Sequence, residues 1–178
     1  MTLLGRERST VEFSAFLDER QVPLLRLAIA LCGSRSAAED VLQEVLLRAF
    51  ARWSRISVLE SPYGYVRKML VNEHLSWRRR LIRQIPRAEI EREAAPDHAE
   101  RIAGRDELLR RVDSLPARQR TAVILRYFED LDDTEIARVM VCDPVAVRSY
   151  VSRGLKALRV EESSVTEQTV RRVSGKDL

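Results

Sequence analysis

The chain has 178 residues, 31 Lys and Arg against 27 Asp and Glu, a net charge of +4, and 45% hydrophobic and 33% charged residues. Six Gly and six Pro are few for a loop-rich all-β fold, and so small a net charge excludes a polycation that coats nucleic acid indiscriminately. Two cysteines outside any CxxC spacing and two histidines argue against a protein-only zinc site and suit a reducing, cytoplasmic home; no run is long and apolar enough to span a membrane, and the start MTLLGRERSTVEF is too charged for a signal peptide.

Phe13, Phe16, Leu17, Leu24, Leu27, Ala28 and Leu31 recur mostly three or four apart and predict a helix over residues 10–31, which Pro23 is expected to break or kink. Cys32-Gly33-Ser34-Arg35-Ser36 reads as a turn, with Gly33 ending that helix and Ser34 or Ser36 capping the next. The second helix, from Ala37 to about Trp53, has an inward stripe of Val41, Leu42, Val45, Leu46, Ala49, Phe50 and Trp53, and carries Asp40, Gln43, Glu44 and Leu47 off that stripe. Residues 54–61 read as a loop. Ser61-Pro62 then opens a third helix by the cap-plus-proline rule, running to about Arg80 with Val66, Met69, Leu70, Glu73 and Trp77 at helical spacing.

From Leu81 to Arg105 the pattern decays into alternating Arg and Glu or Asp with two prolines, and reads as an inter-domain linker. A second helical unit follows over residues 106–159. Leu108, Leu109, Val112 and Leu115 mark one short helix; Pro116 opens the next, where Val123, Ile124 and Tyr127 are expected to pack inward. A third, capped by Asp133 or Thr134, turns Ile136, Ala137 and Met140 to the core, with the small Ala137 where two helices cross. The tail from Val160 to Leu178 lacks a stripe and is expected to be mobile. The expected architecture is all-α: two small helical domains at 1–82 and 106–160, a flexible linker at 83–105, and a tail at 161–178.

The last helix of the second unit carries the strongest signal. Asp143 stands as its N-cap and Pro144 at its first position, and Arg148, Arg153, Lys156 and Arg159 follow with no acid before Glu161. Val145, Val147, Val151, Leu155 and Leu158 are candidates for its buried side, leaving Arg148, Ser149, Ser152, Arg153 and Lys156 outside. Such a helix-turn-helix offers one side to a DNA major groove, where Arg bonds guanine O6 and N7 bidentately and Ser is a short adaptable partner. Arg159 and Arg120 suit phosphate contacts. The competing reading is an ordinary solvated basic face, but the capped turn and preceding helix favour DNA. Val141 occupies the turn position where many such motifs place Gly, because φ is positive there; the turn either has another geometry or is strained.

Two further faces stand out. The side of the second helix bearing Asp40, Gln43, Glu44 and Leu47 mixes carboxylates, an amide and an apolar residue, which suits either docking on an Arg-bearing helical partner or plain solvation. The third helix pairs Tyr63, Tyr65 and Trp77 with Arg67, Lys68, Arg78, Arg79 and Arg80, a mixture that can stack bases and track a single strand, although by spacing alone Trp77 reads rather as core and the arginine run as a solvated helix end. Asn72 can bond a backbone group or a base. No nucleophile elbow, phosphate loop or metal spacing is present, so an enzyme is not expected.

Three blocks, AEDVLQEVLLRAFARW at 38–53, SPYGYVRKMLVNEHLSWRRR at 61–80 and LPARQRTAVILRYFEDLDDTEIARVMVCDPVAVRSYVSRGLKALR at 115–159, together resemble a bacterial RNA polymerase sigma factor of the extracytoplasmic-function group in the sigma-70 family, of the short actinobacterial kind. The resemblance implies a factor that directs core RNA polymerase to promoters. Asp40, Gln43, Glu44 and Leu47 fall on the surface that grips the β′ clamp helices. The minus-ten element would be read and melted by residues 54–61 with Tyr63, Arg67, Lys68, Asn72, Trp77, Arg78, Arg79 and Arg80. The minus-thirty-five element would be read by Arg148, Ser149, Ser152 and Arg153, with Lys156 and Arg120 beside them, in a domain that also touches the β flap. Promoter DNA, core polymerase and an anti-sigma factor are the implied partners, with no cofactor and no membrane insertion. The alternative is a free-standing helix-turn-helix regulator, which has no need of the 38–80 blocks; a helical sigma mimic or anti-sigma is disfavoured by the intact reading helix.

Overall fold

A computed structural model describes the backbone of residues 3–84 and 105–174, and the surroundings of side chains 9–80 and 110–159. Every regular element among them is a helix: α1 (Leu3–Cys32), α2 (Arg35–Ala51), α3 (Trp53–Ile56), α4 (Pro62–Gln84), α5 (Arg105–Ser114), α6 (Ala117–Tyr127), α7 (Asp133–Met140) and α8 (Pro144–Ser174). They form two compact units, α1–α4 and α5–α8. Most of the linker expected at 83–105, residues 85–104, lies outside the described residues.

In the first unit α1 packs on α2 and α4, and α2 on α4. Leu24, Leu27, Ala28 and Leu31 of α1 are fully buried, as are Val45 and Ala49 of α2 and Val66, Leu70 and Val71 of α4. That burial explains why α1 runs unbroken through Pro23 instead of stopping there. An interior proline costs about 3 kcal/mol, whereas each fully buried leucine returns about 1.5–3 kcal/mol, and three leucines follow within two turns. Gly33 ends the helix at φ 74°, a left-handed position that suits a residue without Cβ, and its N–H bonds the Ile29 carbonyl at 2.9 Å. Ser34 caps α2 by accepting from Ala37 N–H, and Ser61 caps α4 by accepting from Gly64 N–H at 3.0 Å.

Part of the expected loop at 54–61 is helical. Trp53 and Ile56, 3% and 2% exposed, anchor the single turn α3, and Trp53 meets Phe13 and Phe16 at ring-centroid distances of 5.0 and 4.8 Å. Phe50, placed on the inward stripe by periodicity, is 44% exposed and touches the cluster only at its rim, 5.2 Å from Phe13. On α4, His74 is fully buried, with Nδ1 3.5 Å from Cys32 Sγ.

In the second unit α6 and α8 form the main pair, and α5 also packs on α8. Their approach is set by Gly154, where a Cβ would stand 2.8 Å from Val123 Cγ2; Ala137 is also buried, as expected. Val147 is fully buried and Val151, Leu155 and Leu158 are half-buried. Val145 departs from the expectation at 64% exposed: two residues before Val147, it is turned about 200° around the helix. Tyr127, expected inside, is 65% exposed at the end of α6. The last helix continues to Ser174, so the segment expected to be a mobile tail is helical over most of its length. Leu108 and Leu109 lie outside the described side chains.

Candidate DNA and polymerase interfaces

The helix-turn-helix is built by two caps and one strained residue. At α7 the cap is Asp132, not Asp133 or Thr134. Its Oδ1 accepts from Glu135 N–H at 2.8 Å while Glu135 Oε2 accepts from Asp132 N–H at 2.9 Å, a reciprocal capping box. At α8 the cap is Asp143, whose Oδ1 accepts from Ala146 N–H at 2.8 Å, as its sequence position predicts. Between them Val141 has φ 53°, so the turn keeps the left-handed geometry of a Gly-containing motif and holds a β-branched residue in it, with a side chain 71% exposed.

That geometry displays one side of α8. Arg148, Ser152, Arg153 and Lys156 are exposed and Ser149 is half-buried. The five lie within about two turns, and no carboxylate occurs between Pro144 and Arg159. Arg118 sits over the Tyr150 ring at 6.0 Å. Arg120 does not join this face. It is 3% exposed, its Nε donates to the Val112 carbonyl at 3.1 Å, and its Nη1 lies 3.5 Å from Asp113 Oδ1. The guanidinium ties α5 to α6 and has no surface from which to hold a phosphate, which corrects the reading of Arg120 as a DNA contact.

On α4, Tyr63 and Arg67 are half-buried and Lys68 is exposed. Two guanidiniums lie over the Tyr63 ring, Arg20 at 5.5 Å and Arg67 at 5.6 Å from its centroid, each contact worth about 0.5–1 kcal/mol at such sites. Asn72 donates to the Lys68 carbonyl at 2.9 Å. Trp77 and Arg78 are half-buried, with Trp77 6.5 Å from the His74 ring. Arg79 donates back to the Leu75 carbonyl at 3.3 Å. Arg80 belongs to a network that the basic run in the sequence does not announce. Glu73, its side chain 11% exposed, accepts from Arg48 at 2.5 Å and from Arg80 at 2.6 Å. Burial alone would push the Glu73 carboxyl up, but the hydrogen bonds and charges of both arginines outweigh it and hold it below the usual range.

On α2, Asp40, Gln43, Glu44 and Leu47 are all exposed, Leu47 at 60%. Gln43 and Leu47 also line an open groove of about 670 Å³, whose apolar walls include Phe13, Leu25, Leu42, Leu46 and Phe50 and whose polar lining adds Gln21, Arg35 and Glu39. Sequence periodicity gave no sign of this groove, because its apolar walls come from the edges of two stripes. No group of three or more His, Cys, Asp or Glu among the described residues is arranged to hold a metal ion. Nor is any helix among them long and apolar enough to cross a membrane.

A capped helix-turn-helix with an acid-free outer side, on a chain with a second helical unit, defines the class of helix-turn-helix proteins. Comparison with known proteins narrows the class. Residues 16–84 match the family model described as Sigma-70 region 2, and residues 105–158 the one described as Sigma-70, region 4. The chain is 30% identical over 155 residues to the RNA polymerase sigma-E factor of Streptomyces avermitilis, covering 86% of this chain and 87% of the relative. It is 27% identical over 160 residues to the ECF RNA polymerase sigma factor SigL of Mycobacterium tuberculosis, covering 85% and 90%. Its fold is similar to that of the sigma factor RpoE of Bartonella quintana, solved with the anti-sigma factor NepR, at a TM-score of 0.62 and 22% identity over 83% of this chain and 94% of that one. The chain belongs to the sigma-70 family of RNA polymerase sigma factors, in its extracytoplasmic-function group.

Proposed function

We propose that this chain binds core RNA polymerase and directs it to a restricted set of promoters, acting in the cytoplasm and without catalytic chemistry of its own. The observation that carries the reading is the presence, on one chain, of two differently built surfaces. One is the side of α8 that carries Arg148, Ser149, Ser152, Arg153 and Lys156 with no carboxylate of its own; the other is the exposed side of α2 that carries Asp40, Gln43, Glu44 and Leu47, of which Gln43 and Leu47 line a largely apolar groove. The first suits the negative potential and base edges of duplex DNA. The second suits a helical protein partner bearing cations around an apolar seam, the role of the β′ clamp helices.

In this reading the N-terminal unit, residues 1–82, grips the polymerase through Asp40, Gln43, Glu44 and Leu47. It meets the minus-ten element through Tyr63, Arg67, Lys68, Asn72, Trp77 and the basic end of α4. The C-terminal unit, residues 106–160, reads the minus-thirty-five element through Arg148, Ser149, Ser152, Arg153 and Lys156, and meets the β flap. Each contact is weak alone. Once polymerase holds both units, the second contact becomes effectively intramolecular, which raises affinity without new surface. Trapping unstacked bases offsets the few kcal/mol that each flipped base costs. An anti-sigma factor is the further partner that this family membership suggests.

The test separates the two surfaces. Arg148→Ala with Arg153→Ala is expected to lower transcription from a dependent promoter by at least about tenfold, since each lost bidentate contact is worth about 1–3 kcal/mol, while leaving co-purification with core polymerase intact. Asp40→Ala with Glu44→Ala is expected to lower co-purification itself. Equal loss of both activities in both variants contradicts the division.

A further inference from the structure

Among the described residues, Asp133 sets a carboxylate against the reading side of α8. Its Oδ2 lies 3.5 Å from Nη1 of Arg148, while its Oδ1 accepts from Arg126 at the end of α6. It stands at the first position of α7, where an acidic residue ordinarily serves the helix end. That task is already done by the box of Asp132 and Glu135. The Asp133 carboxylate is therefore committed to arginines on two other helices. It is well placed to hold them, with 26% of its side chain exposed, against 30% for Arg126 and 59% for Arg148.

We propose that Asp133 is a positioning residue that sets the base discrimination of Arg148. This rests on the reading of α8 as the promoter-reading helix and deepens it. A free surface arginine samples many rotamers, and fixing it at a base forfeits that freedom on binding. An arginine with one nitrogen 3.5 Å from a carboxylate gives up part of that freedom on folding. Its planar fork still has donors on the other edge, the geometry that guanine O6 and N7 require. The same carboxylate discourages Arg148 from swinging to whichever phosphate is near, because that contact would give up the pair and leave the carboxylate without its second cation. Asp133 thus lowers sequence-independent attraction and sharpens choice. Arg126 anchors the other oxygen, so the carboxylate keeps its place when Arg148 engages DNA.

The decisive experiment is multiple-template transcription by the reconstituted holoenzyme on promoter fragments randomised over the minus-thirty-five element, with transcripts counted by sequencing. Each variant is scored by the ratio of preferred to non-preferred templates, which cancels differences in the folded fraction. Asp133→Asn keeps the shape and a neutral hydrogen bond to Arg126; it is expected to lower the ratio about three- to tenfold at one base position and to raise output from non-preferred templates. In an Arg148→Ala background the same substitution is expected to change nothing further. A wild-type ratio in Asp133→Asn overturns the proposal, and so does an equal fall with and without Arg148, which would mark a merely structural effect. If the wild-type holoenzyme shows no preference at any minus-thirty-five position, the underlying reading of α8 fails first, and that outcome is visible without any variant.

Discussion

Arg120→Ala separates a structural arginine from a DNA-binding one. The side chain is 3% exposed, with Nε on the Val112 carbonyl and Nη1 near Asp113, whose side chain is 14% exposed. Truncation removes the buried stem beyond Cβ, two methylenes at about 0.8 kcal/mol each. It also removes hydrogen bonds from a charged donor, worth about 1.5–3 kcal/mol, and leaves Asp113 without this partner. The sum, roughly 3–5 kcal/mol, agrees with the usual cost of breaking a buried ion pair. At about 4–8 °C per kcal/mol for a unit of this size, the C-terminal melting transition should fall by at least about 12 °C. The assay is thermal unfolding of the full chain by circular dichroism beside tryptophan fluorescence. Both tryptophans, Trp53 and Trp77, lie in the N-terminal unit, so fluorescence follows that unit alone and serves as the internal control. A normal melting profile combined with lost promoter use would refute the argument and restore Arg120 as a phosphate contact.

Two other substitutions test local physics. Val141→Gly removes a β-branched residue from φ 53° where its side chain is mostly solvated; relief of about 1–2 kcal/mol, less about 0.4–1 kcal/mol of added chain freedom in the unfolded state, predicts a small rise in the C-terminal melting temperature, and a fall would show that the turn is not strained. Glu73→Gln is expected to cost the N-terminal unit about 1–2 kcal/mol at pH 7, since its arginine partners are themselves part-exposed. Because the Glu73 carboxyl is depressed in the folded state, its contribution is full above the ordinary value near 4.5 and is lost as pH falls through the lower folded value. Urea titrations between pH 7 and pH 3 should therefore show the wild type losing its advantage over Glu73→Gln on the acid side; a constant difference across that range contradicts the linkage.

The elements that rest on local chemistry were legible in the sequence. Gly33, Ser34, Ser61 and Asp143 end or cap their helices as their residue types require, and the spacing of leucines and valines places the cores of both units. Periodicity locates the middle of a stripe better than its margins, so Phe50, Tyr127 and Val145 were placed inside and stand exposed. The cap of α7 was misplaced by one residue because adjacent aspartates compete for it, and only the reciprocal bond to Glu135 decides between them. Arg120 misled because residue type suggests a surface, whereas its burial depends on Val112 and Asp113 arriving from another helix. The Arg126–Asp133–Arg148 chain and the α2 groove are products of tertiary packing, and no spacing rule encodes them.

The central claim is tested most directly by run-off transcription with purified core RNA polymerase over a library of genomic promoter fragments, with and without this chain, beside direct binding of the free chain to the same fragments. The account predicts new start sites only when the chain is present, and weak, unselective DNA binding when polymerase is absent. No added transcripts, with tight and specific DNA binding by the chain alone, would contradict it and point to a free-standing helix-turn-helix regulator.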